Sequence, residues 1–586
     1  MSIRNRALTS TVLGGILAVA ILTPAVAREA TQGRLENADT EPQNWLIGFQ
    51  NYSSHRYSRL NQINRSNVDK LRVAFVLPMN DGLRGRNTAN FEQHALVDDG
   101  FLFIDSGNGM TYKVDVRSGT KGIVMWKADA AVSKELTGAE RGMAFWGNNV
   151  YTDLLDGRVI AVNRDNGEFV WDKQIARVPH PKSSGVNVSK ESFSAAPLAA
   201  DGKIIVGQSN GDGGTRGWVA AINALSGNEV WRTYSVPAPG EFGHDTWADD
   251  HGAWKTGGAA FWTTGSYDAR QRLTIWGAAQ PVPMFDPEFR PGDNLYSNSA
   301  MAFDIDTGKI KWFFQYTPNE SWDYDEQGVH MLVDAPFGGT ARQMVVHFGR
   351  NGFYYQLDRT NGQFISATQY VDLVTWTAGI DPKTGKPIEH NPSLKLQAYI
   401  PATRWARADT APKTACPALP GGTRWQPPAY NPVKRIAYLA GEDGCQRHMI
   451  VPAVTLADGG IDEKGRRAPG TRADFGLHGL TAAIDVTTGK VIERLATPYA
   501  NQSGILATAG GVIFTATVDG AVLALNDETL AELWRFETGI GIKAPPISYS
   551  VGGKQFIAIA AGAQQPAGFP ELGERGWGAS LFVFSL

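Results

Sequence analysis

The chain has 586 residues, with 55 Lys+Arg against 58 Asp+Glu, and 42% of its residues are hydrophobic and 10% aromatic. Two cysteines exclude a disulfide scaffold or a Cys-rich zinc array, a net charge of −3 leaves no footprint for nucleic acid, and the apolar content is far too high for a disordered chain. Glycine is in excess, at 65 residues or about 11% against a usual ~7%, and at ~150 residues per domain the length suggests three or four domains unless one large β architecture holds them all.

The first 27 residues read as a secretion signal. Arg4 and Arg6 make a basic start, Val12 to Leu22 is an apolar run, and Ala25-Val26-Ala27 is an A-x-A cleavage site. The run is shorter than the ~20 residues needed to span a bilayer, and no later stretch is long and apolar enough to do so. A soluble periplasmic chain beginning near Arg28 is expected. In that oxidising compartment Cys416 and Cys445 either pair or stay as two buried thiols.

A repeat runs through the rest. IAVNRDNGEFVW, AAINALSGNEVW and MAFDIDTGKIKW each place Gly four residues and Trp eight residues after an Asn or Asp: Asn163, Gly167 and Trp171; Asn223, Gly227 and Trp231; Asp304, Gly308 and Trp312. Asp358 with Gly362 and Asp485 with Gly489 keep the first half. Asn526 and Trp534 keep the ends but have Leu530 where Gly belongs, and Asp115 to Trp126 carries an insertion. Each unit predicts an alternating strand, a turn capped by the Asx side chain, a glycine at positive φ and a second strand ending in an indole. Such units are parts of four-stranded blades. Seven visible units and the N-terminal NRSNVDKLRVAF region predict an all-β, eight-bladed β-propeller with tryptophan-docking repeats over residues 28–586. Tandem hairpins in separate small domains are disfavoured because no polar linker separates the units.

The repeat, with RPGDNLYSNS (290–299), GGAAFWTTGSYD (257–268) and RNGFYYQLDRTNG (350–362), resembles the pyrroloquinoline quinone (PQQ)-dependent alcohol dehydrogenases of the methanol and ethanol dehydrogenase type. The likeness covers nearly all of the chain after the signal. It implies PQQ and Ca²⁺ as cofactors, an alcohol as substrate and a separate soluble cytochrome c as electron acceptor. By residue, it implies that Asp293 is the catalytic carboxylate and a metal ligand with Asp212 and Gln280, and that the quinone stacks on Trp262. Glu92, Arg141, Ser194, Ser209, Asn210 and Gly211 match cofactor-binding positions, and Arg350 matches the basic residue beside the quinone oxygens. Cys416 and Cys445 match a family disulfide in spacing and context.

The sequence also departs from the family. Asp212 stands where a Glu ligates the metal and Gln280 where an Asn does; both keep oxygen donors, which suits a hard cation. Arg424 replaces an Asn that touches the cofactor, and Gln502 replaces a Trp near the active site. Glu135 and Leu136 replace the family's adjacent-cysteine ring. The lanthanide members carry a second Asp two residues after the catalytic one, and counted from Asp293 that position is Leu295. No C-x-x-C-H motif for covalent haem occurs. The expected reaction is hydride transfer from an alcohol, bulky or secondary given the altered pocket, with Ca²⁺ as Lewis acid and Asp293 as general base. The competing readings are a quinoprotein for sugars or polyols and a non-catalytic periplasmic propeller scaffold.

Overall fold

A strand that ends in an indole can bury it only against a neighbouring layer, and the indole N–H then needs an acceptor there. The computed structural model of the protein describes residues 28–79, 91–106, 109–133, 136, 138–177, 191–454, 473–562, 569–572 and 579–586. The predicted secretion signal (1–27) and Glu135 lie outside these residues. Within them four tryptophans of the repeat do what the physics requires. Trp126 Nε1 donates to the Arg164 carbonyl at 3.2 Å, Trp171 to Ala224 at 3.0 Å, Trp231 to Ile305 at 2.9 Å and Trp312 to Arg359 at 3.0 Å. Each acceptor is the residue that follows the Asx of the next unit, so each of these four indoles locks its own sheet to the one after it.

The glycine of the repeat has two jobs. It adopts positive φ, 79° at Gly167 and 68° at Gly308, and it seats the preceding tryptophan. A Cβ at Gly308 would lie 2.5 Å from the Trp231 ring, and one at Gly362 would lie 2.6 Å from that of Trp312. The exception follows the same rule. Leu530 takes the same turn with φ 53°, and the unit before it, around Asp485, has no tryptophan to seat.

The described strands form eight sheets. Leu198–Ala200, Lys203–Gly207, Trp218–Asn223 and Glu229–Tyr234 are typical: four antiparallel strands, each paired with its neighbour in sequence. One sheet is different, because Arg72–Pro78 pairs with the last strand, Ser580–Ser585. The single α-helix among the described residues is Gln32–Glu36, and none of their helices is long and apolar enough to cross a membrane. Cys416 and Cys445 are joined as a disulfide.

The irregular segment between Ala30 and Ser58 touches every sheet. Trp45 N–H donates to Val97 O, Ala30 N–H to Gly147 O and Tyr52 Oη to Ala199 O. Tyr267 N–H donates to Tyr52 O, Leu332 N–H to Ser53 O, Tyr430 N–H to His55 O and Ala507 N–H to Arg56 O. Finally, Arg56 Nη2 donates to Pro546 O, beside the last sheet. Nothing periodic in the sequence announces this strap: only its end, Tyr57–Ser58, joins a ladder, parallel to Leu506–Thr508, and its other bonds go to separate elements.

Candidate active site

In an antiparallel sheet the start of the first strand and the end of the second lie at the same end. The chemistry-bearing residues come from those two places. Glu92, Arg141, Ser194, Trp262, Asp323, Arg424 and Lys543 each lie in a loop leading into a sheet, while Ser209 to Asp212, Gln280 and Arg350 lie just after a second strand. Loops from seven sheets therefore meet at a cavity of about 350 Å³. Its walls include Glu92, Arg141, Ser194, Ser209, Asn210, Gly211, Asp212, Trp262, Gln280 and Arg424, all named from the sequence.

Arg141 organises one wall. Its Nη2 is 2.6 Å from Glu92 Oε2, and its Nη1 donates to Ser194 O, Ser194 Oγ and Trp262 O at 3.0–3.1 Å. Its guanidinium lies 4.9 Å from the Trp262 ring centre and 5.6 Å from that of Trp425, and Arg424 lies 5.9 and 5.2 Å from the same two rings. Two indoles thus flank two guanidinium groups. Burial, then the charge of Arg350, pushes Arg424 down to about 10. Ser192 and Ser209 share a hydroxyl hydrogen bond of 2.9 Å, and Asn210 turns the loop to Asp212 with φ 67°.

The opposite wall is acidic. Gln280 Nε2 donates to Asp212 Oδ1 at 2.5 Å, which leaves Gln280 Oε1 buried without a partner. The Gln280 backbone N–H donates to Asp325 Oδ1 at 2.9 Å, and Arg350 Nη1 holds Asp325 Oδ2 at 2.6 Å and Asp323 Oδ1 at 3.4 Å. Arg350 is fixed from behind, with Nε and Nη2 on the Leu419 carbonyl. Burial raises Asp323 to about 7 and Asp325 to about 6; Arg350 opposes this, and Asp212 adds repulsion to both. Burial alone would lower Arg350, but Asp323 and Asp325 outweigh it and hold it above the usual arginine value. Asp323 also sits at φ 67°, the left-handed region that costs a non-glycine residue energy and marks many functional sites.

The sequence-based assignment of Asp293 needs correction. Asp293 is absent from the residues that line the cavity. Its carboxylate accepts from His390 Nε2 at 3.1 Å and Gln397 Nε2 at 2.9 Å, both on a loop outside the site. The RPGDN motif instead builds a support. Arg290 is fully buried and donates to Pro283 O, Met284 O, Asn294 Oδ1 and Glu320 O. Asn319 N–H donates to Asp293 O. The turn thus braces the segment that carries Asp323 and Asp325 into the cavity. The residue two after Asp323 is the acid Asp325.

Sequence reasoning missed Asp323, Asp325, Trp425 and Lys543, which line the same cavity. A signal was available for the first two: WDYD lies in a loop leading into a sheet, as Glu92 and Trp262 do. Gln502 is not on the cavity surface; its Nε2 donates to Glu442 Oε2 at 3.0 Å. Among the described residues, the one trio of acids and histidine with ligand atoms within 4.8 Å of one another is Asp372, Asp443 and His478, none of which lines this cavity. Both Asp443 oxygens there accept backbone N–H groups.

The residues present fit the implied groups. A planar quinone carboxylate needs a flat apolar face and cationic donors. The cavity offers Trp262, Arg141, Arg424 and Lys543, and the Nε atoms of both arginines are buried without acceptors. A hard cation needs oxygen donors, and Asp212, Asp323 and the unpartnered Gln280 Oε1 supply them.

Comparison with known proteins agrees with this. Residues 45–374 match the PQQ family model for the glucose/ethanol/alcohol dehydrogenase β-propeller domain. The chain is 31% identical to the quinoprotein alcohol dehydrogenase PedH of Pseudomonas putida, over 93% of this chain and 91% of that protein. Among solved structures, a quinohemoprotein alcohol dehydrogenase of Pseudomonas putida superposes with a TM-score of 0.84 at 26% identity, covering 96% of this chain and 83% of the other. A europium-containing methanol dehydrogenase does so with 0.81 at 27% identity, covering 94% and 100%. The scaffold reading is set aside: the chain belongs to the PQQ-dependent alcohol dehydrogenase family.

Proposed function

We propose that the eight sheets are the blades of one closed propeller spanning residues 28–586, and that the cavity at their common end oxidises a bulky or secondary alcohol to an aldehyde or ketone. The observation that carries the chemistry is the pairing, in one cavity, of an indole and arginine wall with an Asp212, Gln280, Asp323 and Asp325 wall. Closure is supported by the pairing of Arg72–Pro78 with Ser580–Ser585.

When bound, the quinone supplies the two-electron acceptor and the cation the Lewis acidity beside it. The chain's residues do the rest. Trp262 provides the stacking face; Glu92, Arg141, Ser194, Ser209, Asn210, Gly211 and Arg424 hold the quinone's polar edge. Asp212 and Gln280 hold the cation, Gln280 through Oε1 while its amide N–H fixes Asp212. Asp323 takes the hydroxyl proton of the alcohol. Asp325 is less suited to that task, because both of its oxygens are already engaged by Gln280 N–H and Arg350. Arg350 orients the two acids and balances negative charge that develops near them.

Calcium is the first reading for the cation, since Arg350 neutralises Asp325 and leaves Asp212 and Asp323 to match a divalent ion. Asp325, two residues after Asp323 in the same cavity, favours a trivalent lanthanide as the second. The polar wall of Arg424 and Lys543 makes a sugar or polyol the alternative substrate. Residues 1–27 direct export to the periplasm, where the Cys416–Cys445 disulfide is stable, and a separate soluble cytochrome c takes the electrons. The test is reconstitution with PQQ and either Ca²⁺ or La³⁺, followed by dye reduction with primary, secondary and polyol alcohols. Turnover with a secondary alcohol supports the reading. No dye reduction with any alcohol and either ion overturns it.

A further inference from the structure

Asp323 and Asp325 reach the cavity on the loop before Met331–Phe337, and Arg350 reaches it on the turn after Thr340–Phe348. These two strands are neighbours in one sheet, and their ladder ends with Met331 opposite Val346. Beyond that rung only side chains can fix the distance between the incoming loop and the outgoing turn.

A buried polar column does so. His330, just before Met331, and His347, just after Val346, stack in parallel with their ring centres 4.1 Å apart. Tyr316 Oη and His330 Nε2 share a hydrogen bond of 3.0 Å, and Glu326 Oε2 and His347 Nε2 share one of 2.7 Å. None of the four side chains is more than 1% exposed. Glu326 follows Asp325 directly, and His347 precedes Arg350 by three residues. The Glu326–His347 bond therefore joins the two loops right beside the groups that do the chemistry.

The same carboxyl lies against the Arg350 turn itself. A Cβ at Gly349 would stand 2.9 Å from Glu326 Oε2, so this approach needs a glycine. The backbone N–H groups of Asn351 and Arg350 act on the carboxyl and oppose burial, which raises it well above the usual range. On its other side the turn is held by Trp376 Nε1, which donates to Asn351 O at 3.0 Å, and by Arg350 Nε on Leu419 O at 3.0 Å. Burying an acid is costly, and apolar side chains of similar volume often pack as well or better. An apolar side chain could not grip an imidazole at one strand end and the backbone of the turn at once.

Resting on the quinoprotein reading above, we propose that Glu326 is a positioning residue for the reaction: it clamps the Gly349–Asn351 turn to the loop that carries Asp323 and Asp325, and so sets where the Arg350 guanidinium stands between the two acids. Displacing reacting groups by about 1 Å can cost on the order of a hundredfold in rate. The quinone is held by the indole and arginine wall across the cavity, so its binding does not depend on the clamp.

The experiment combines dye-linked kinetics, PQQ titration by tryptophan fluorescence, and amide hydrogen exchange of the cofactor-free full-length mature chain. Glu326→Ala should lower kcat about ten- to a hundredfold, while KM for alcohol and PQQ affinity stay within about threefold. Exchange should speed up at the 349–351 turn and not in the rest of that sheet. Glu326→Gln can still bond His347 and accept an N–H, and should stay within about fivefold of the parent. Gly349→Asp added to Glu326→Ala returns a carboxylate from the opposite side and should recover about three- to tenfold of the lost kcat. Glu326→Met, similar in volume to the parent, carries the same expectation as Ala if the latter fails to fold. If the folded Ala or Met variant keeps the parent's kcat, the assignment is overturned. It is also overturned if kcat falls only in step with PQQ affinity and the double variant recovers nothing. If the parent binds no PQQ and reduces no dye, the quinoprotein reading itself has failed; exchange in the cofactor-free chain then still decides the clamp, which is overturned if the turn exchanges as in the parent.

Discussion

Exchanging the two candidate acids one at a time separates the site seen in the fold from the one suggested by the motif. Asp323→Asn keeps the volume and one oxygen, so the 3.4 Å contact with Arg350 is nearly preserved and the cavity keeps its shape. What is lost is proton acceptance. Positioned general bases contribute typically 10²–10⁴-fold, or about 3–5.5 kcal/mol of barrier, so kcat should fall by that factor while PQQ still quenches tryptophan fluorescence. Asp293→Asn should do the opposite. It replaces a carboxylate oxygen that accepts from His390 or Gln397 by an amide that cannot, which costs about 0.5–1.5 kcal/mol of stability. In a chain of this length that is roughly 1 °C in Tm. Turnover per folded molecule should be unchanged. The assay is dye-linked oxidation at saturating alcohol beside differential scanning calorimetry of each variant. A dead Asp293→Asn enzyme with an active Asp323→Asn enzyme would return the base to position 293 and refute the cavity argument.

Other consequences are checked as directly. Trp262→Ala should weaken PQQ binding by about tenfold or more, from lost stacking area, as read by titration of the remaining tryptophans. Gln280→Ala and Asp212→Ala should each lower metal affinity, and the double variant should lose less than the sum, because Gln280 Nε2 holds Asp212 Oδ1; calorimetric metal titration gives the three numbers. Gly308→Ala should destabilise by about 1–3 kcal/mol, since its Cβ would sit 2.5 Å from the Trp231 ring at φ 68°. Gly489→Ala, where the nearest atom is Gln356 Oε1 at 3.1 Å, should cost less in the same melting experiment. Burial raises Glu442 from 4.5 to about 7. A raised carboxyl stabilises the fold below its unfolded value and loses that contribution as pH climbs through the folded value. In cofactor-free protein Glu442→Gln should therefore gain on the parent between pH 4.5 and 7, by at most about 3 kcal/mol; denaturant unfolding across that range measures it.

The repeat was legible because its period is written in residues whose geometry admits few alternatives: an Asx that caps, a glycine that turns, an indole that must find a carbonyl. The second duty of glycine, seating the previous tryptophan, is invisible along the chain because the two residues meet only across sheets. The arginine and indole wall was readable from Glu92, Arg141, Trp262 and their matched surroundings. The acid was not, since PGDN and WDYD are both plausible turn acids, and only the direction in which each loop enters the fold distinguishes them. Lys543 and the strap from Ala30 to Ser58 share a different obscurity. Each is defined by what other segments bring to it, and neither carries a pattern of its own.

That strap has a bearing on how the protein is made and how it moves. Its residues are synthesised first, yet the three carbonyls that receive the Arg56 guanidinium include Ile505 and Pro546, which are synthesised near the end. A half-finished chain leaves that cation with Gly48 O alone of its three acceptors, so the early sheets lack part of what fixes them until the last are made, and the sequence separation of these contacts implies slow folding. In the finished molecule one covalent thread is pinned to all eight sheets, and no two of them can slide apart without pulling on the rest. An active site assembled from loops of seven different sheets keeps its spacing because its far side is tied by a single knotless cord.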